Sequence, residues 1–427
     1  MFSSWSPRRL ALAGVLLLAS RLAAADSAGW RIAIDPQAEP LERFAARELQ
    51  RYVYVTTGAH LPISDAAPPA DSAALVVASR SRPLAMSTFA NLPALAAQEY
   101  WLHAGASTTG PERIALVGGD ALGTLYAVYR FAERLGVRFY LHGDVIPDAR
   151  RPFAFPAFTE SGRPLFNVRG LQPFHDFAEG PDWWNADDYL AVAGQLAKLR
   201  MNFLGLHTYP ESGVGPEPTV WIGPADNVDE QGRVRRAYPA SYHTTGRSGQ
   251  TWWAYAPTRT SDFAGGAAEL FDRDDFGPDV MRDREFRAQT PETAADVFNR
   301  TGELLATAFR EARRLGILTC IGTETPLTIP SVVKAELLAN GKDPADAAVV
   351  REVYQAMFER IRRVTPVNYY WLWTPEDWTW AGNRPEQFAG TAADIQAALD
   401  ALAALNHPMT LATCGWVLGP QHDRAAL

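Results

Sequence analysis

Two cysteines in 427 residues, Cys320 and Cys414, are too few for a disulfide framework or a zinc finger, and no Cys-x-x-Cys pair occurs. Each lies in an apolar, strand-like run. Two readings stay open: a disulfide, if the compartment is oxidising, or buried thiols used as small core residues. No Gly-rich dinucleotide or phosphate loop opens a helix. No long single-sign charge run and no simple repeat stands out. The formal net charge of −8 argues against nucleic acid or an anionic membrane as partner. No motif asks for a cofactor or a metal. His207 with Glu211 is too sparse a set to hold one.

What the chain does have is apolar bulk, 47% hydrophobic against 21% charged, enough for a sizeable core and a length that suggests two or three domains. The N-terminus reads as an export signal. Arg8 and Arg9 precede an apolar run, Leu10 to Ser20, and Ala23-Ala24-Ala25 offers a cleavage site. Residues 1–25 are therefore expected to be a signal peptide, the mature protein periplasmic or secreted, with no membrane span after cleavage.

Residues 26–155 alternate strand and helix patterns and read as an accessory α/β domain. Trp30–Ile34, Leu75–Ala78, Arg113–Val117 and Val137–Leu141 are short apolar strands. Pro40 opens a helix, where its missing N–H costs nothing. Asp120 is placed to cap another that carries Leu122, Leu125, Tyr129, Ala132 and Leu135 on one stripe. Arg150 to Pro164, rich in Pro and Phe, reads as a linker.

From 165 to 427 strands and helices alternate again, which predicts a parallel sheet with crossover helices. The strands are expected near Phe166–Gln172, Asn202–Tyr209, Ile317–Ile321, Tyr369–Trp373 and Met409–Cys414. Residues 213–289 form a long insertion, of a length expected of a functional loop or small subdomain. Polar and aromatic residues gather where strands end: His175 and Asp176, His207 and Tyr209, Glu324, Glu376, and Trp416. In a β/α barrel those ends form the face that carries the active site. About five strands can be counted, against eight for a full barrel, so a barrel truncated after about five strands is expected.

One stretch concentrates the chemistry: Asn368 to Gly382, Asn-Tyr-Tyr-Trp-Leu-Trp-Thr-Pro-Glu-Asp-Trp-Thr-Trp-Ala-Gly. Its first half is a buried strand, which Pro375 ends because it has no N–H to donate. Glu376 and Asp377 follow among Trp371, Trp373, Trp378 and Trp380. A carboxylic acid among indoles loses hydration and stays protonated more readily, as a general acid must. Hydrolysis of a glycosidic bond needs a second carboxyl, roughly 5–5.5 Å away for retention or 6.5–9.5 Å for inversion. Glu324 is the first choice, as that carboxyl or as a sugar-hydroxyl ligand, against a role in capping the next helix; Asp176 and a carboxyl from strands after residue 427 are the alternatives. His175, Asp176, His207, Tyr209 and Asp377 are candidate sugar-hydroxyl ligands, and Trp373, Trp378 and Trp416 candidate stacking platforms. Arg169 has two readings, a fork for a uronate carboxylate or a partner for a core acid.

The Gly123-Thr-Leu-Tyr-Ala-Val-Tyr129 helix, the Asn167-Val-Arg-Gly-Leu-Gln-Pro-Phe-His-Asp176 run and the Leu196-Ala-Lys-Leu-Arg-Met-Asn-Phe-Leu204 run resemble segments of the family 67 and family 115 α-glucuronidases, and more distantly of the family 20 β-N-acetylhexosaminidases. The resemblance is one of element order over residues 30–210. It implies a hexosaminidase-like N-terminal α/β domain, then a (β/α)8-type barrel with its general acid after the fourth strand, at Glu376. Family 20 enzymes carry an Asp-Glu pair there, whereas this chain reads Glu376-Asp377. The expected activity is that of an O-glycosyl hydrolase acting on a plant or algal carbohydrate substrate. A non-catalytic glycan-binding protein on the same scaffold and a polysaccharide lyase are the alternatives.

Overall fold

The computed structural model describes residues 29–105, 111–173, 181, 184–210, 217–240, 290–375, 378 and 384–414. Residues 1–25, the expected signal segment, lie outside them. Among the described residues no helix is long and apolar enough to cross a membrane. The chain divides into two compact units, one built on the described residues up to Arg169 with Gly194–Asn202 and Arg314–Gly316, the other on the remainder.

The first unit is a six-stranded mixed sheet. Its parallel part is β1 (Arg31–Ile34), β2 (Ile63–Ser64), β3 (Ala74–Ser79) and β5 (Arg113–Gly118). Every residue of β3 is buried, which is why it reads as an unbroken apolar run. Helix α1 (Pro40–Thr57) begins at Pro40 and stops at Gly58, whose φ of 83° suits a residue without a Cβ. A short helix, α2 (Pro83–Thr88), follows β3. Helix α3 (Ala121–Arg134) is capped by Asp120, whose side chain accepts from the Gly123 N–H. A small hairpin, β6 (Arg138–Tyr140) with β7 (Gly143–Val145), follows.

Two antiparallel strands complete this sheet, β4 (Tyr100–Ala104) and, at its edge, β8 (Phe158–Gly162), in the order β2-β1-β3-β5-β4-β8. The second lies inside the stretch expected to be linker. Its sequence, Phe-Thr-Glu-Ser-Gly, carries one apolar residue in five, because an edge strand needs little apolar surface.

The second unit holds five parallel strands: β9 (Gly170–Leu171), β10 (Phe203–Thr208), β11 (Leu318–Glu324), β12 (Tyr369–Trp373) and β13 (Thr410–Cys414). They pair in chain order, β13-β12-β11-β10-β9. The connections are helices: α4 (Ala186–Lys198), α5 (Pro291–Arg314), α6 (Ser331–Ala339), α7 (Ala347–Val364) and α8 (Pro385–Ala404). Order without reversal means each crossover steps the same way, and right-handed crossovers then place their helices on one face. Among the described residues the sheet is open, a run of five parallel strands in chain order.

Local chemistry starts and stops these elements. Asn185 Oδ1 accepts from the N–H groups of Asp187 and Asp188 at the head of α4. Thr290 Oγ1 accepts from the Thr293 N–H at the head of α5. Asn368 sets the register of β12, since its Oδ1 accepts from the Thr319 N–H at 2.9 Å. Part of the long insertion is packed: Glu217 to Gly223 is buried throughout, and Val228 bridges Val234 in antiparallel fashion.

Candidate active site at the strand ends

Strand alternation and register sort the second sheet into two faces. One carries Leu206 and Thr208 of β10, Ile321 and Thr323 of β11, and Tyr370 and Leu372 of β12. It meets the helices: Phe358 of α7 packs edge-on against Tyr370 at 4.9 Å between ring centroids. The other carries Phe203, Gly205 and His207 of β10, Cys320, Gly322 and Glu324 of β11, and Tyr369, Trp371 and Trp373 of β12. His207, Glu324 and Trp373 therefore share one face, at the C-terminal ends of three adjacent parallel strands.

The glycines make this face possible. A Cβ on Gly205 or Gly322 would collide with Trp371, so the indole of β12 lies across β11 and reaches β10. Cys320, Trp371 and Trp373 form a buried cluster there, with Phe203 and Tyr369 against it. The Cys320 thiol is free and buried, and burial pushes its pKa up. It packs as a small core residue. The side chain of Cys414 is outside the described residues.

Nearer the strand ends, the His207 imidazole stacks on Trp373, with centroids 4.2 Å apart and planes at 29°, and meets Tyr209 edge-on at 4.9 Å. His207 is 2% exposed. Burial lowers its pKa to about 3, so it is neutral at ordinary pH, with one nitrogen able to donate and the other to accept. Glu324 is half-buried and stands opposite Trp373 in the register. The Thr325 N–H beyond it donates to the Trp373 carbonyl at 2.8 Å, tying the ends of β11 and β12 together. Trp373 and Trp378 are only 3% and 1% exposed, so in this arrangement they offer packing rather than open ring surface.

His175, Asp176, Glu376, Asp377 and Trp416 lie outside the described residues. Arg169 serves neither reading. Its Nε and Nη2 donate to the Arg200 carbonyl, Nη1 to Gln98 Oε1 and the Phe166 carbonyl, and Nη2 also to the Tyr126 hydroxyl. Neutral oxygens take the whole fork, which holds the chain together on either side of it. Among the described residues no group of three His, Cys, Asp or Glu side chains is placed to hold a metal ion.

One carboxylate escaped sequence reasoning. Glu217 is 1% exposed and sits beside the end of β10: its Oε2 accepts from the Tyr209 N–H at 2.9 Å, and its own N–H donates to the Tyr209 carbonyl at 3.1 Å. The signal was Pro216-Glu217-Pro218, an acid between two residues without N–H groups, followed by the apolar Thr-Val-Trp-Ile run.

No protein-family model matches the chain, and no curated protein matches it. Solved structures similar to it include a family 138 enzyme targeting pectin rhamnogalacturonan II, at 12% identity and a TM-score of 0.47, covering 88% of this chain and 34% of that one. A family 115 4-O-methyl-α-glucuronidase with specificity for decorated arabinogalactans has 14% identity and a TM-score of 0.47, covering 88% and 40%. A family 20 β-N-acetylhexosaminidase from Streptomyces coelicolor A3(2) has 14% identity and a TM-score of 0.46, covering 90% and 62%. All three are glycoside hydrolases, and the chain spans between about a third and three fifths of their length.

Proposed function

We propose that the protein is an exported glycoside hydrolase that cleaves a glycosidic bond in a plant or algal polysaccharide or oligosaccharide, uronic-acid-containing ones included. The observation that carries this reading is the shared face: Glu324, His207 and Trp373 together at the C-terminal ends of consecutive parallel strands, opposite the helices. Strand ends of this kind are where β/α architectures do chemistry, because the loops that follow can vary without disturbing the sheet. The five strands fit the opening part of a (β/α)8-type barrel.

In this reading Glu376, just past β12, protonates the departing oxygen. Glu324, the last residue of β11 and the one paired with Trp373, is the second carboxyl, acting on water or on the anomeric carbon. Tyr209 holds a sugar hydroxyl, and the buried, neutral His207 imidazole packs edge-on against its ring. Export follows from the Arg8-Arg9 and Leu10–Ser20 signal.

The test is release of reducing sugar or aryl alcohol from a panel of aryl glycosides and plant and algal oligosaccharides. Wild type should turn over at least one. Glu376→Gln and Glu324→Gln should each lower kcat on it by about 10²–10⁴-fold, the range for loss of an acid or base. Full activity in both variants would remove these carboxyls from the mechanism. Tight oligosaccharide binding with no turnover in wild type would favour a glycan-binding protein instead.

A further inference from the structure

The end of β11 is held from behind. Alternation turns Glu324 to one face and its neighbours Thr323 and Thr325 to the other, and both threonines are anchored there. Thr323 Oγ1 pairs with the Tyr370 hydroxyl at 2.9 Å. Thr325 Oγ1 donates to Asp394 Oδ2 at 2.7 Å. Asp394 belongs to α8 and is 7% exposed. Its Oδ2 also accepts from the Tyr354 hydroxyl of α7 at 2.7 Å, and its carboxyl takes the Leu327 backbone N–H. One buried carboxyl thus gathers a hydroxyl from the strand end, a hydroxyl from the neighbouring helix and an N–H from the segment beyond.

The partners of Asp394 among the described residues are two hydroxyls and a backbone N–H, not a cation. A carboxyl without a cation is an expensive way to fill space between two helices and a sheet, where Leu or Val would pack at lower cost. What an apolar residue cannot do is fix the direction of the backbone. Three convergent donors on one carboxyl fix Thr325 and Leu327 on one side, and the Thr325 N–H bond to Trp373 fixes the other. Glu324, the residue between the two anchored threonines, is left with one orientation for its Cα–Cβ bond.

We infer that Asp394 is a positioning residue that aims Glu324 at the site face through the Thr325 anchor. The inference rests on the reading of Glu324 as part of a glycoside-hydrolysing site. Asp394 itself touches no substrate. Its loss should reduce turnover by letting the β11 end shift, since a misplacement of about 1 Å can cost on the order of 10²-fold in rate.

The experiment compares wild type, Asp394→Ala, Asp394→Asn and Thr325→Val on whichever aryl glycoside of the panel wild type cleaves fastest. Asp394→Ala should lower kcat by about 10–10²-fold with KM changed less than about threefold. Asp394→Asn keeps an acceptor oxygen and should recover most of the loss. Thr325→Val, which removes a single hydroxyl, should show the same kcat effect if Asp394→Ala folds poorly. In the Glu324→Gln background Asp394→Ala should add little, whereas a general loss of stability would add in full. Hydrogen exchange gives a readout independent of substrate: peptides covering 322–328 should exchange faster in Asp394→Ala while those of α1 and β3 do not change. Unchanged exchange at 322–328 overturns the proposal, as does unchanged kcat in a folded Asp394→Ala. If wild type cleaves no glycoside the hydrolase reading fails, and the exchange result still decides whether Asp394 holds the strand end.

Discussion

At the residue scale, His207 couples the fold to pH. Burial against Trp373 and Tyr209 lowers its pKa from 6.5 to about 3. The sign follows: the unfolded chain binds a proton below about pH 6.5 that the folded chain refuses, so stability is full above that pH and is lost as pH falls toward the folded value. Between about pH 6.5 and 4 this one group should remove about 3 kcal/mol of stability. Urea unfolding of wild type and His207→Gln across that interval should show the steeper acid loss in wild type. Parallel curves would mean that His207 is not buried neutral. The sequence could place His207 at a strand end but not tell that its ring lies under an indole, since the stacking partner is 166 positions away. Glu217 shows the converse. It was read as part of a long loop, yet its carboxylate grips the Tyr209 backbone, and only the fold brings the two together.

At the element scale, strands buried on both faces were legible and edge strands were not. β3, β5, β11 and β12 advertise themselves as apolar runs because both of their faces are covered. β8, at the sheet edge, has one apolar residue in five and leaves no such run. The glycines of β10 and β11 had a meaning that sequence could not supply. Gly205 and Gly322 are where the Trp371 indole crosses two strands. Gly205→Ala should cost about 1–3 kcal/mol by overpacking, read as a lower urea midpoint, and Gly322→Ala at least as much. Neutral effects at both would show that Trp371 does not lie across these strands. The helix caps at Asn185, Thr290 and Asp120 needed only local sequence and were readable from it.

At the scale of the whole molecule, the alternation of strand and helix gave the parallel sheet, and the count of five strands after residue 165 agrees with it. The expectation is a barrel truncated after about five strands; the described residues show an open five-stranded parallel sheet, with β9 and β13 each paired on one side. Function follows from how those strands are ordered. Their winding in chain order puts Glu324, His207 and Trp373 on one face, and the helices, with Asp394, on the other. In the proposed mechanism a carboxyl just past β12, Glu376, serves as general acid for a glycosidic leaving group, with Glu324 as its counterpart.

The most direct measurement is the dependence of kcat/KM on leaving-group acidity in Glu376→Gln, using aryl glycosides of one sugar that range from dinitrophenyl to unsubstituted phenyl. A good leaving group needs no proton, so loss of the acid should matter little there. It should matter by about 10²–10⁴-fold for the poorest one. A loss that grows steadily with leaving-group basicity is the result this account predicts. A loss that is equal for every leaving group, or none at all, would contradict it.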